Sequence, residues 1–93
     1  MKPVFYSKTA RGHIVFYGFP IEVLEDRIGT EKWIKIKENT YKIEFLRGGA
    51  VFTVKFAEYP DYIFVISLHK TTSKKKIKEL RRRLMESRGE NCG

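Results

Sequence analysis

Between Trp33 and Leu68 the chain alternates apolar and polar residues through successive short segments, and this period of two limits the possible folds more than any other feature. In Trp33-Ile34-Lys35-Ile36-Lys37, Ile34 and Ile36 fall on one side and Trp33, Lys35 and Lys37 on the other. Glu38-Asn39-Thr40 is turn-like. Tyr41, Ile43 and Phe45 then face one way with Lys42 and Glu44 opposite, and Arg47-Gly48-Gly49 reverses the chain. Phe52, Val54 and Phe56 alternate with Thr53 and Lys55. Strands joined by such short turns pair with their sequence neighbours, so an antiparallel meander is predicted. After Glu58-Tyr59-Pro60-Asp61, the run from Tyr62 to Leu68 is apolar almost throughout, the pattern of a strand covered on both faces and therefore inside the sheet.

The flanks supply the rest. Lys2 to Tyr6 reads as a short first strand. From Ser7 to Tyr17 two readings compete: Ser7 or Thr9 could cap a helix, whereas His13-Ile14-Val15-Phe16-Tyr17 is rich in strand formers, and propensity leans to strand. Gly18 punctuates. Pro20 suits the first turn of a helix in which Ile21, Leu24 and Ile28 recur at helical spacing, and Gly29 fits its stop. Thr71-Thr72-Ser73 offers caps for a final helix through about Arg88, with Ile77, Leu80 and Leu84 as a narrow apolar stripe. The expected fold is α+β: a small antiparallel meander sheet with one or more N-terminal helical segments and a basic C-terminal helix. With 93 residues, one domain over 1–88 with one modest core is expected, followed by a flexible tail at 89–93.

The net charge of +8 is concentrated. Residues 70–88 hold nine Lys or Arg against Glu79 and Glu86, and the rest of the chain is nearly balanced. Such a field attracts phosphate backbones or anionic surfaces. A membrane-surface helix is disfavoured, because the apolar stripe is thin and lacks Trp or Phe. The apolar runs are too short to span a bilayer, and the first residues lack the apolar core of a secretion signal, so a cytoplasmic address is expected. Cys92 is the single cysteine, which excludes an intrachain disulfide and a cysteine zinc site. Two histidines alone do not make a metal site, and no cofactor is expected.

The order strand, helical segment, meander, basic helix resembles the small toxin superfamily that includes RelE and BrnT. Tyr17-Gly18-Phe19-Pro20-Ile21-Glu22-Val23-Leu24-Glu25-Asp26 is similar to the turn of BrnT-type proteins where a helix ends at Gly and an acidic helix begins. Glu31-Lys32-Trp33-Ile34-Lys35-Ile36 is similar to the strand that follows. Tyr62-Ile63-Phe64-Val65-Ile66-Ser67-Leu68-His69-Lys70-Thr71-Thr72-Ser73-Lys74-Lys75 resembles the last strand, ending in Ile-Ser and leading into a basic helix. It departs from the family in having Leu68-His69 where those proteins tend to have Ala-Arg. The resemblance implies a RelE-like fold and a toxin of a toxin-antitoxin pair, an endoribonuclease acting on messenger RNA and neutralised by a protein antitoxin.

RNA cleavage without a metal needs a base for the 2'-hydroxyl proton, cations for the crowded phosphate and an acid for the leaving oxygen. His69, at the end of the inner strand beside Lys70, carries the side-chain type suited to acid or base work near neutral pH. The plainer reading is an exposed strand-end residue. His13 is a weaker candidate, able simply to pack near the core. Strand periodicity places Lys35 and Lys37 on one face, with Lys42 and Lys55 on the next strands and Arg47 at the turn, a cationic ridge or merely the solvated side of a sheet. His69, Arg47, Lys35 and Lys37 are the candidate catalytic residues. Lys42, Lys55, Lys70, Lys74, Lys75, Lys76, Lys78, Arg81, Arg82 and Arg83 are the candidate nucleic-acid contacts. The helical cations have two rival readings, docking of an acidic antitoxin segment and ordinary solvation. A non-catalytic nucleic-acid-binding module fits the same charge, and self-association stays open. Tyr41, Tyr59 and Tyr62 could stack on bases or fill the core.

Overall fold

The computed structural model describes residues 2–92 of the chain, with side chains as far as Arg83. In chain order the elements are β1 (Val4–Tyr6), α1 (Lys8–Tyr17), α2 (Ile21–Thr30), β2 (Ile34–Lys37), β3 (Thr40–Arg47), β4 (Ala50–Glu58), β5 (Ile63–Thr71) and α3 (Lys74–Cys92). The described strands form one sheet in the order β1-β5-β4-β3-β2. β2 to β5 pair antiparallel in sequence order, but β1 lies parallel to β5. The sheet is therefore mixed, which corrects the expectation of an antiparallel meander throughout. A parallel neighbour requires a crossover, and α1, α2 and three strands separate β1 from β5 in the chain. β5 is an inner strand, as its apolar run predicts.

Residues 8–17 are helical, against the leaning of propensity. Both ends carry strong local signals. The Ser7 hydroxyl accepts the Ala10 amide hydrogen at 2.9 Å. At the other end Gly18 takes a left-handed φ of 61°, with Gly18 N donating to Val15 O and Phe19 N to Ile14 O, the doubled bond of a Schellman stop. Ala10 and Ile14, four residues apart, are buried, while the strand-forming Val15 and Phe16 point outward. Tertiary packing of one helical stripe outweighs a few tenths of a kcal/mol per residue of propensity. α2 buries Leu24 and Ile28 as its spacing predicts. α3 continues to Cys92, past the expected end near Arg88 and through most of the expected tail; Leu84, the third member of its apolar stripe, lies outside the described side chains.

Residues directly opposite each other on paired strands share a sheet face. One face carries Tyr41, Ile43, Phe45, Phe52, Val54, Phe56, Val65 and Leu68 and packs with Ala10, Ile14, Phe19, Leu24 and Ile28 into the main core. Burying large side chains here contributes about 1.5–3 kcal/mol each before entropy is counted. The other face carries Lys42, Glu44, Val51, Thr53, Lys55, Ser67 and His69, and α3 lies against it with Leu80 buried. Two-residue turns at Glu38-Asn39 and Gly48-Gly49 fix the register, with φ of 62° at Asn39 and of 57° and 77° at the two glycines.

Candidate nucleic-acid interface

β1 is three residues long and pairs only with Ile63, Phe64 and Val65, so it leaves the outer edge of β5 uncovered from Ile66 onward. α1 covers that edge. The Ser7 amide donates to Val65 O at 2.9 Å and the Ser7 hydroxyl to Ile66 O at 2.6 Å. One turn and a half later, Leu68 N donates to His13 Nδ1 across a long 3.4 Å contact. With Nδ1 as acceptor, a neutral His13 carries its proton on Nε2. The same seating brings His13 beside His69, with ring centroids 5.2 Å apart and planes inclined by 51°. His13 is half-buried and His69 exposed.

A bulge decides where His69 points. The β4–β5 register shifts so that Lys55 opposes Ser67 while Phe56 opposes Val65, and Ile66 is the extra residue. Without it Leu68 would leave the core face, because a slip of one residue exchanges the faces of a strand. With it, Ser67 and His69 stand on the face of α3, in register with Lys55 and Thr53.

α3 divides its cations by helical spacing. Lys76 and Arg83, seven apart, turn toward the sheet and reach Glu44: Lys76 Nζ lies 2.9 Å from Oε2 and Arg83 Nη2 2.8 Å from Oε1. Lys42 Nζ lies 3.9 Å from the same carboxylate. The Glu44 side chain is only 3% exposed, whereas Lys76 and Arg83 keep 36% and 49%. Burial pushes the Glu44 pKa up, but hydrogen bonds from Arg83 and Lys76 and the field of Lys42 outweigh it and hold the carboxyl below its usual range. Lys74, Lys75, Lys78 and Arg81 are exposed and make no ion pair among the described residues. Lys74, Lys78 and Arg81 line a hollow closed by Gly49, Thr72 and Ile77, between the β3–β4 turn and the start of α3.

The expected site residues are thus only partly brought together. His69 and the α3 cations lie on the same sheet face. Lys42 and Lys55 share it too, directly opposite each other on β3 and β4. Lys35 and Lys37 do not share a face: Lys35 opposes Tyr41 on the core side, Lys37 opposes Thr40, and a bulge separates them. The expected continuous ridge is corrected accordingly. Moreover, β2 is three strands from β5, about 14 Å at ordinary strand spacing, so neither lysine joins His69 in one reacting centre. Arg47 also turns to the core side, its guanidinium 5.4 Å over the Phe19 ring. Lys70 opposes Phe52 and is exposed. Tyr41 packs on Trp33 and Phe56 in the core, while Tyr59 and Tyr62 stay partly exposed, 4.9 Å apart.

Two residues matter more than the sequence suggests. His13 gains its place only once 8–17 is a helix along the β5 edge. Glu44 reads in the sequence as one more residue of a solvated strand face, yet it is the buried anchor of α3. The signal for it is weak, an acid on the face that a strongly basic helix must cover. Among the described residues no group of three His, Cys, Asp or Glu could hold a metal ion, and no helix is long and apolar enough to cross a membrane. No family model matches the chain, and no curated protein or solved structure matches it.

Proposed function

We propose that this protein binds single-stranded RNA through the exposed α3 cations Lys74, Lys75, Lys78 and Arg81 and cleaves it with His13 and His69 as the acid–base pair. The observations that carry this reading are two imidazoles with ring centroids 5.2 Å apart and, on the sheet face of His69, cations that make no ion pair among the described residues. One imidazole takes the proton of the 2'-hydroxyl as its oxygen attacks the adjacent phosphorus. The other gives a proton to the departing 5'-oxygen, leaving a 2',3'-cyclic phosphate and a free 5'-hydroxyl. The base is a neutral imidazole and the acid an imidazolium, and His13 and His69 fill these two roles as a pair. The exposed α3 cations stabilise the phosphate charge, whereas Lys70, opposite Phe52, turns to the other side of the strand. Three lysines in the first turn of α3, with no acid there, oppose the helix dipole by about 0.3–1 kcal/mol each, a cost that a bound polyanion offsets.

The resemblance to RelE and BrnT extends the proposal to a toxin held in check by an acidic antitoxin segment covering these cations. A second reading is a non-catalytic RNA-binding module, favoured by the structural task His13 already has in capping the β5 edge. Purified protein incubated with end-labelled RNA, with and without chelator, separates the two. Cleavage that persists with chelator, yields cyclic phosphate ends and is lost in His69→Ala supports the enzyme. Binding without cleavage leaves the module, and absence of both ends the RNA reading.

A further inference from the structure

The outward side of α1 carries an arrangement that the core does not explain. Lys8, Gly12 and Phe16 follow one another at four-residue spacing, and Arg11 and Val15 run beside them. Phe16 is 82% exposed and Val15 80%. A Cβ at Gly12 would meet nothing within 4 Å, so the surface between the cations and the ring is open. α1 contains no acidic residue, and neither Lys8 nor Arg11 makes an ion pair among the described residues. Phe16 also begins a run of rings that ends at the histidine pair. It meets Tyr17 edge-on at 5.2 Å, Tyr17 lies 6.2 Å from His13, and His13 lies 5.2 Å from His69.

We infer that this face of α1 seats an unpaired nucleobase of single-stranded RNA, with Phe16 as the stacking surface and Lys8 and Arg11 holding the flanking phosphates. The inference rests on the RNA reading above and adds the position of the strand: bases along α1, and a backbone that passes the histidines at the β5 edge, where the sheet faces carrying α1 and α3 meet. The chemistry favours this occupant over a protein. Two exposed apolar side chains are far less than the roughly 1,000 Å² that a stable protein interface needs, yet one phenyl ring matches one base. Cations without acids suit phosphates on either side of that base.

The test compares binding of a fluorescein-labelled single-stranded RNA of mixed sequence with that of an abasic ribose-phosphate strand of equal length. Phe16→Ala weakens RNA binding about 5- to 100-fold and leaves the abasic strand unaffected, whereas Phe16→Tyr retains affinity for both. Lys8→Ala with Arg11→Ala weakens both strands together. The melting temperature of Phe16→Ala stays that of the parent, because the ring is exposed. If Phe16→Ala binds RNA like the parent, or loses the two strands equally, the base seat is overturned while the RNA reading stands. A change in sedimentation of the RNA-free protein on Phe16→Ala also overturns it, since a second copy would then cover the ring. If the parent binds neither strand, both readings fall together.

Discussion

α1 and α3 flank the same sheet and are both basic, but they hold their charge differently. On α3, Lys76 and Arg83 converge on Glu44 and fasten the helix to the sheet, while Lys74, Lys75, Lys78 and Arg81 have no carboxylate partner among the described residues. α1 needs no such anchor. It is held by Ala10 and Ile14 in the core and by Ser7 and His13 on the edge of β5, so its two cations and its exposed ring have no structural task. Charge count alone therefore misjudges both helices. What separates a structural cation from an available one is whether a buried acid lies within its reach.

Removing the histidines at the junction of α1 and β5 has the largest expected effect. His69→Ala and His13→Gln are each expected to lower the RNA cleavage rate by about 100- to 10,000-fold, with the double variant close to the worse single one because the two act as a unit. Cleavage kinetics under single-turnover conditions check this; undiminished rates in both variants reduce His13 to an edge cap.

A second experiment sets the two sides of α3 against each other. Replacing Lys74, Lys78 and Arg81 together by Glu should weaken RNA binding. It should also flatten the dependence of log affinity on log salt by about two units, at roughly 0.7 per lost phosphate contact. Lys76→Ala and Arg83→Ala should leave that slope nearly unchanged. Equal slopes for the two sets would mean that Glu44 does not set Lys76 and Arg83 apart.

Glu44 should reveal itself in stability. Glu44→Gln is expected to cost about 1–3 kcal/mol in urea unfolding, since charge-assisted hydrogen bonds to a buried carboxylate are lost. Arg83→Ala should cost less, because Lys76 and Lys42 remain. The pH dependence has a definite sign. Folding holds the Glu44 pKa below its ordinary 4.5, so at low pH the unfolded chain binds the proton first. Its stabilisation is complete above about 4.5 and is lost as the pH falls through the folded value. Glu44→Gln should remove that slope; an acid titration of stability unchanged by the substitution would contradict the latch. The smallest effect concerns the seating of α1: Ser7→Ala should cost about 1–2 kcal/mol by removing the cap and the bond to Ile66 O.

Several parts of this molecule are legible from sequence because they depend on neighbours in the chain. The alternation in Tyr41 to Phe45 and Phe52 to Phe56, the glycines at 48 and 49 and the spacing of Leu24 and Ile28 each yield the element they predict. Residues 8–17 do not, because β-branched and aromatic side chains at 13–17 speak for a strand while Ser7 and Gly18 speak for a helix. The edge of β5, 55 to 59 residues away, settles the matter. Glu44 is illegible for a related reason: its partners sit on a helix more than thirty residues later.

An α+β chain whose segment 70–88 carries nearly all the excess charge can be read from the residues alone, since periodicity and charge are local properties. Which side chains meet depends on contacts made in three dimensions. Two bulges, at Ile66 and at Ile36, each shift a strand by one residue. The first sends His69 to the face of α3, and the second separates Lys35 from Lys37. A one-residue shift costs little in the strand that makes it and exchanges the faces of everything beyond, and the choice is fixed by which residues the facing strand and helix will bury.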